Sequence, residues 1–161
     1  MVITEVLERN AAERKDEVAL VEINPDVKEK RRITWREYGL VESDSASVPF
    51  RREITWQVFD EKANRCANLL LARGIKKGDK VGILLMNCLE WLPLYFGILK
   101  TGALAVPLNY RYDASEIKYC VELADVDALF FGPEFIGRVE EICDDIKRVK
   151  LLFFVGDNCP T

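Results

Sequence analysis

With 161 residues the chain is one domain's worth of polypeptide, and a globular unit of that size buries roughly 70% of the surface its unfolded form exposes. Apolar residues make up 49% and charged residues 31%, which excludes a disordered chain, and 23 basic against 27 acidic residues leave a net charge of −4 with no overall pull toward nucleic acid. Histidine is absent, which excludes Ser–His and Cys–His nucleophilic pairs and the usual zinc site.

The chain opens with Glu5, Glu8, Arg9, Glu13 and Asp16 among its first twenty residues, so no apolar signal-peptide core runs through them. A helix is expected around Val6 and Leu7, then a strand over 18–23 that Asn24-Pro25 ends. Residues 31–38 and 52–59 form a near-repeat that shares Arg, Ile, Thr and Trp and ends on an aromatic. Two copies are too few for a solenoid, and they read as edge elements of a small antiparallel sheet rather than a duplicated binding strand. Thr34 and Glu37 make a capping box in the first copy, but Gly39 follows at once, with a Ser-rich loop over 43–49 soon after. The helix is therefore assigned to the second copy, where Phe59, Ala63, Cys66, Ala67 and Leu70 recur at helical spacing until Arg73-Gly74. The first copy is assigned a strand.

From Lys80 onward strand and helix alternate. Residues 81–86 are a continuous apolar run of the kind buried on both faces of a parallel sheet. Helix is expected over 87–101, with Pro93 either moving its start toward Leu89 or kinking it. A strand over 103–108 follows, then a helix capped by Asp113 and Glu116 with Ile117, Cys120, Val121 and Ala124 inward. A short strand over 128–131 leads through Gly132-Pro133-Glu134 into a helix with Ile136, Val139, Ile142, Cys143 and Ile146 inward, and 151–155 is the last strand. Four strands joined by three helices predict an α/β fold: a doubly wound, mostly parallel sheet flanked by helices (57–161), preceded by a helix and small antiparallel strands (1–56).

An open parallel sheet binds ligands at the carboxyl ends of its strands. The three turns there each place an acid, Glu90, Asp113 or Glu134, at a helix start, and no glycine-rich phosphate motif occurs in the chain. No catalytic, cofactor-binding or metal residue is assigned. Glu140, Glu141, Asp144 and Asp145 read as a solvated helix face. Lys30-Arg31-Arg32, Arg51-Arg52 and Lys76-Lys77 read as solvated surface. Arg111, between Tyr110 and Tyr112 at a strand end, either contacts a ligand or another domain or packs on the surface beside Pro107. Cys66, Cys88, Cys120, Cys143 and Cys159 lack Cys-x-x-Cys spacing and fit reduced, mostly buried thiols of a cytoplasmic protein. The most apolar stretch, 84–108, is interrupted by Asn87, Glu90, Lys100 and Pro107, so no transmembrane segment is expected.

The order of Ile54-Thr55-Trp56, Ala63-Asn64-Arg65, Ala67-Asn68-Leu69-Leu70, Gly74, Lys77-Gly78-Asp79-Lys80-Val81, Asn87, Glu90, Gly97-Ile98-Leu99-Lys100, Gly102-Ala103 and Val106-Pro107-Leu108-Asn109 resembles the amino-terminal part of adenylate-forming (AMP-binding) acyl-CoA synthetases, the fatty-acid-CoA ligases. That family's Ser/Thr/Gly-rich nucleotide loop ending in Gly-x-Pro-Lys does not occur in the sequence. An insertion between the two near-repeat copies also departs from the plainer family pattern. The resemblance implies the amino-terminal portion of the synthetase large domain, spanning 1–161. It implies ATP, magnesium and coenzyme A as cofactors of the full-length enzyme, with none bound by this segment, which is expected to be inactive alone. The implied partners are the remainder of the large domain and the carboxy-terminal domain, with a homodimer through the exposed sheet edge as a further possibility. The alternative is a stand-alone interaction module that keeps the scaffold without the chemistry.

Overall fold

The structure is a computed structural model that describes residues 2–23 and 51–156. The first near-repeat copy with its Thr34–Glu37 box, the Ser-rich loop, the Lys30-Arg31-Arg32 cluster and Cys159 lie outside the described residues.

Helix α1 (Ile3–Glu13) leads into strand β1 (Val18–Ile23), which pairs antiparallel with β2 (Arg51–Thr55). The second near-repeat copy thus contributes an edge strand and then, at Thr55, becomes helix α2 (Trp56–Ala72). Three otherwise orphaned amides at that helix start are satisfied. Thr55 Oγ1 accepts from Val58 N (3.3 Å), while Trp56 N and Gln57 N donate to the Glu17 and Lys15 carbonyls (3.1 and 3.2 Å). The predicted stripe Phe59, Ala63, Cys66, Ala67 and Leu70 is the buried face of α2. The helix stops where Gly74 adopts φ +87°, a left-handed conformation that favours glycine.

Strand β3 (Lys80–Leu84), helix α3 (Trp91–Lys100), strand β4 (Leu104–Pro107), helix α4 (Ala114–Leu123), strand β5 (Ala128–Phe131), helix α5 (Ile136–Ile142) and strand β6 (Leu151–Phe154) complete the chain. The strands form one parallel sheet in the order β4-β3-β5-β6. Because β4 lies on one side of β3 and β5 on the other, the winding reverses between β3 and β5. Helices α2 and α3 cover one face, around Leu70, Val81, Ile83, Ile98 and Phe130, and α4 and α5 cover the other, around Leu84, Ile117, Leu129 and Phe135. The central strands β3 and β5 are apolar and buried along nearly their whole length, as a doubly covered parallel sheet requires, whereas β4 and β6 are partly exposed edges. A third cluster of Leu7, Ile54, Phe59, Ala63 and Leu89 holds α1 and the antiparallel ribbon against α2 and α3.

Four expectations are corrected. Helix α3 begins at Trp91 instead of Asn87, which places Pro93 in the first turn where no amide is needed. The apolar run 81–86 ends as strand at Leu84, and Met86 is exposed. The helix expected through Ile146 is divided: a 3₁₀ turn (Pro133–Phe135) precedes α5, and α5 ends at Ile142, so Cys143 is exposed while Ile146 is buried from the following turn. Asp144 and Asp145 therefore do not share a helix face with Glu140 and Glu141, and Asp145 pairs with Lys118 at 2.6 Å instead.

Candidate functional site

The reversal of winding makes the crevice between the carboxyl ends of β3 and β5 the place where an open α/β sheet accepts ligands. A crevice of about 360 Å³ lies there. The β3–α3 loop supplies Leu85, Met86 and Cys88, the β5–α5 loop supplies Gly132 and Glu134, and Arg52 enters from β2. A second groove, of about 290 Å³, runs between β1 and the same β3–α3 loop and shares Cys88.

The wall between the two is an ionic cluster. Glu22 Oε2 accepts from Arg52 Nη2 (2.7 Å) and from Leu89 N (2.8 Å), and Glu90 lies 3.6 Å from both Arg52 and Lys62. Arg52 is thus half-buried and paired, which corrects its reading as solvated surface. The signal for it was faint, because Glu22 and Arg52 stand thirty positions apart and meet only when β1 and β2 pair. Burial pushes the Glu22 carboxyl up, but the Arg52 and Leu89 hydrogen bonds outweigh it and hold its pKa below the ordinary 4.5. A depressed carboxylate stabilises the fold above its unfolded-state pKa, and that stability is lost as pH falls through the lower folded value. Glu22→Ala is expected to cost about 2 kcal/mol at pH 7, since it leaves the Leu89 amide without its acceptor and Arg52 with the longer Glu90 pair in place of its direct hydrogen bond. Urea unfolding at several pH values checks this: the deficit relative to the parent chain should shrink below pH 4.5.

None of the carboxyl-end turns cradles a phosphate. Glu90 precedes α3 without capping it, and Asp113 occupies the start of α4 by accepting from Glu116 N at 2.8 Å while Glu116 accepts from Asp113 N at 2.9 Å. The Glu134 carboxylate folds back over Gly132, where an added Cβ would meet it at 2.8 Å. Anions at these helix ends face side chains of their own sign. Among the described residues no group of His, Cys, Asp and Glu is arranged to hold a metal, and no helix is long and apolar enough to cross a membrane.

The cysteines are unpaired among the described residues. Cys66 is buried against α3 and its pKa is pushed up to about 12 by burial. Burial likewise raises Cys88, so neither thiol is primed as a nucleophile. Cys88 and Cys120 are half-buried and Cys143 is exposed, so among the described cysteines the expectation of mostly buried thiols holds fully for Cys66. Tyr110, Arg111 and Tyr112 do stand at the carboxyl end of β4, in the loop that leads to Asp113.

The signature of the AMP-binding enzyme family matches residues 41–158. A medium/long-chain-fatty-acid–CoA/3-oxocholest-4-en-26-oate–CoA ligase of Mycobacterium marinum is 36% identical over 105 residues, covering 65% of this chain and 19% of its own length. A crotonobetaine/carnitine–CoA ligase of Salmonella paratyphi B is 32% identical over 133 residues, covering 78% of this chain and 26% of its own. The chain thus spans about a fifth to a quarter of the length of the curated relatives it matches. Among solved structures, the inhibitor-bound amino-terminal domain of FACL13 from Mycobacterium tuberculosis superposes with a TM-score of 0.62 at 31% identity, covering 65% of this chain and 27% of that one. The anthranilate CoA ligase AuaEII in complex with anthranoyl-AMP reaches 0.74 at 26% identity, covering 95% and 24%. The doubly wound sheet, the punctuation from Ile54 to Asn109 and these similarities agree, and the chain belongs to the AMP-binding family of adenylate-forming acyl-CoA ligases, aligned with their amino-terminal domain.

Proposed function

We propose that this chain is the amino-terminal scaffold of an ATP-dependent, AMP-forming ligase that joins a carboxylic acid, of the fatty-acid class, to coenzyme A, and that it does no chemistry by itself. The family match over 41–158 carries the reading. The acid-bearing turns support the second half of it: the residues present do not fit a nucleotide phosphate or its magnesium ion, so no catalytic residue and no bound cofactor is assigned to this segment. ATP, magnesium and coenzyme A belong to the whole enzyme in this reading.

The scaffold's role is to present its sheet to the remainder of the large domain. Among the described residues strands β4 and β6 are open edges, and Leu104 and Leu152 are exposed on them, an arrangement that invites coverage. We place the enzyme in the cytoplasm, where free thiols such as Cys143 stay reduced. ATP–pyrophosphate exchange tests the reading, run with fatty acids of graded chain length on the 161-residue chain and on a chain extended to the full length of its relatives. Exchange is expected from the longer chain alone. Turnover by the 161 residues sinks the scaffold reading, and none from either sinks the ligase reading.

A further inference from the structure

We propose that β6 is a docking edge and that its occupant is the β6 of a second copy of this chain, laid antiparallel across a two-fold axis. In a ladder the backbone groups of successive residues turn alternately to either side. Val155 N donates to the Phe131 carbonyl at 2.9 Å, so Phe153 also faces β5, while Leu152 and Phe154 turn their N–H and C=O groups outward. The strand carries no edge protection over 151–155: it reads Leu-Leu-Phe-Phe-Val, without charge or proline, and the β5–β6 register runs without a bulge. The other edge is built differently. On β4, Leu104 N and Leu108 N donate to the Asp79 and Ile83 carbonyls at 2.8 and 2.9 Å, which turns Ala105 and Pro107 outward. Pro107 has no N–H to offer there, so β4 interrupts an added ladder where β6 accepts one.

The edge is self-complementary, which selects a second copy over an unrelated strand. With Phe153 on the two-fold axis, Leu152 of each copy stands opposite Phe154 of the other, and these pairs exchange backbone hydrogen bonds. Phe153 already stacks on Phe130 at 4.7 Å between ring centroids. Across the axis it meets Phe153 of the second copy in a non-hydrogen-bonded pair, the closer kind, which continues the aromatic row. The charges match as well. Lys150 precedes the strand, and Glu134 lines the crevice together with Val155 and Gly156 at its carboxyl end. Both are exposed, and neither has an ion pair among the described residues. Antiparallel pairing sets Lys150 of each copy opposite Gly156 of the other, at the Glu134 end, and covers the exposed Leu152 in the same step. The pairing rests on the sheet edge and not on the ligase reading; under that reading the remainder of the large domain competes with the second copy for this edge.

The test is sedimentation equilibrium of the 161-residue chain from about 1 to about 500 µM, with amide hydrogen exchange followed at both ends of that range. A dimer of twice 18.5 kDa is expected to grow in with concentration. The Leu152 and Phe154 amides should slow about tenfold or more as it forms, while the Ala105 amide, outward on β4, stays fast. Leu152→Lys, at an exposed position, should weaken the dimer about tenfold or more with an unchanged far-ultraviolet spectrum, and Leu104→Lys on β4 should leave it as it is. Lys150→Glu should weaken it about fivefold, and adding Glu134→Lys should restore it. A monomer throughout overturns the proposal, as does a dimer whose Leu152 and Phe154 amides exchange as fast as that of Ala105. So does a Leu104→Lys loss as large as that of Leu152→Lys, or a Lys150→Glu loss that Glu134→Lys does not restore.

Discussion

Replacing Gly97 with alanine is expected to lower the unfolding free energy by about 3 kcal/mol, at the upper end of what overpacking a core costs. Gly97 stands on α3 where it crosses α2, the most extensive helix contact in the fold. A Cβ there would lie 2.6 Å from Cys66 Cβ, 2.7 Å from Cys66 Sγ and 2.8 Å from the Ala63 carbonyl oxygen. A flexible side-chain tip could swing away, but a Cβ and a backbone oxygen inside a buried helix face cannot move without separating the helices. Gly137 provides the contrast. It sits in α5 with nothing beyond its chain neighbours and its own turn of helix within 4 Å of the place a methyl group would take, so Gly137→Ala is expected to stabilise by about 0.5 to 1 kcal/mol through helix propensity. Urea denaturation of both variants checks the pair, and a Gly97→Ala chain as stable as its parent would contradict the packing described.

Removing the ammonium of Lys100 is expected to be nearly as costly. Its side chain is only 9% exposed at the end of α3, where Nζ lies 2.6 Å from Glu8 Oε1 of α1 and 3.0 Å from Asp60 Oδ1 of α2. Asp60 Oδ1 is shielded from solvent and makes no well-directed hydrogen bond, so the charge of Lys100 is what compensates it. Lys100→Met leaves that carboxylate uncompensated, at about 3 kcal/mol. The double variant Lys100→Met with Asp60→Leu should return most of the loss, because an apolar pair of similar volume avoids desolvating two charges. Burial disfavours the Lys100 charge, yet the two carboxylates more than offset this and raise its pKa above the ordinary 10.5. A raised lysine contributes its full stability below the unfolded value and loses it as pH climbs through the higher folded one. The deficit of Lys100→Met should therefore be constant near neutrality and narrow above pH 10.5. A double variant no better than the single one would show that packing, and not the uncompensated acid, sets the cost.

The three clusters also explain why the amino-terminal ribbon belongs with the sheet in energetic terms. Lys100 joins α1, α2 and α3, and Glu22 joins β1 to the β3–α3 loop. Both ties run from a charged side chain to elements far apart in sequence, the first as ion pairs and the second as a hydrogen bond from the Leu89 amide. Loosening either should expose Leu7, Phe59 and Leu89 before the parallel sheet itself opens.

Periodicity and punctuation were enough to read the α2 stripe from Phe59 to Leu70, the stop at Gly74, strands β1, β3, β5 and β6, and the Asp113–Glu116 cap, because each is settled by residues within one or two turns of one another. The family resemblance was legible for the same reason, being carried by a contiguous order of turns and glycines. Only the tertiary structure decided the strand order β4-β3-β5-β6, and with it the crevice between β3 and β5. It alone made Arg52 and Lys100 the ion partners of carboxylates far off in sequence, and turned Gly97 from a helix weakness into a packing requirement. The start of α3 at Trp91 and the end of α5 at Ile142 fall in between, since local pattern gives a helix and packing against the sheet chooses where its ends lie. What a residue does within one turn of chain is written in its neighbours in sequence. What it does across the sheet depends on neighbours that sequence spacing does not specify.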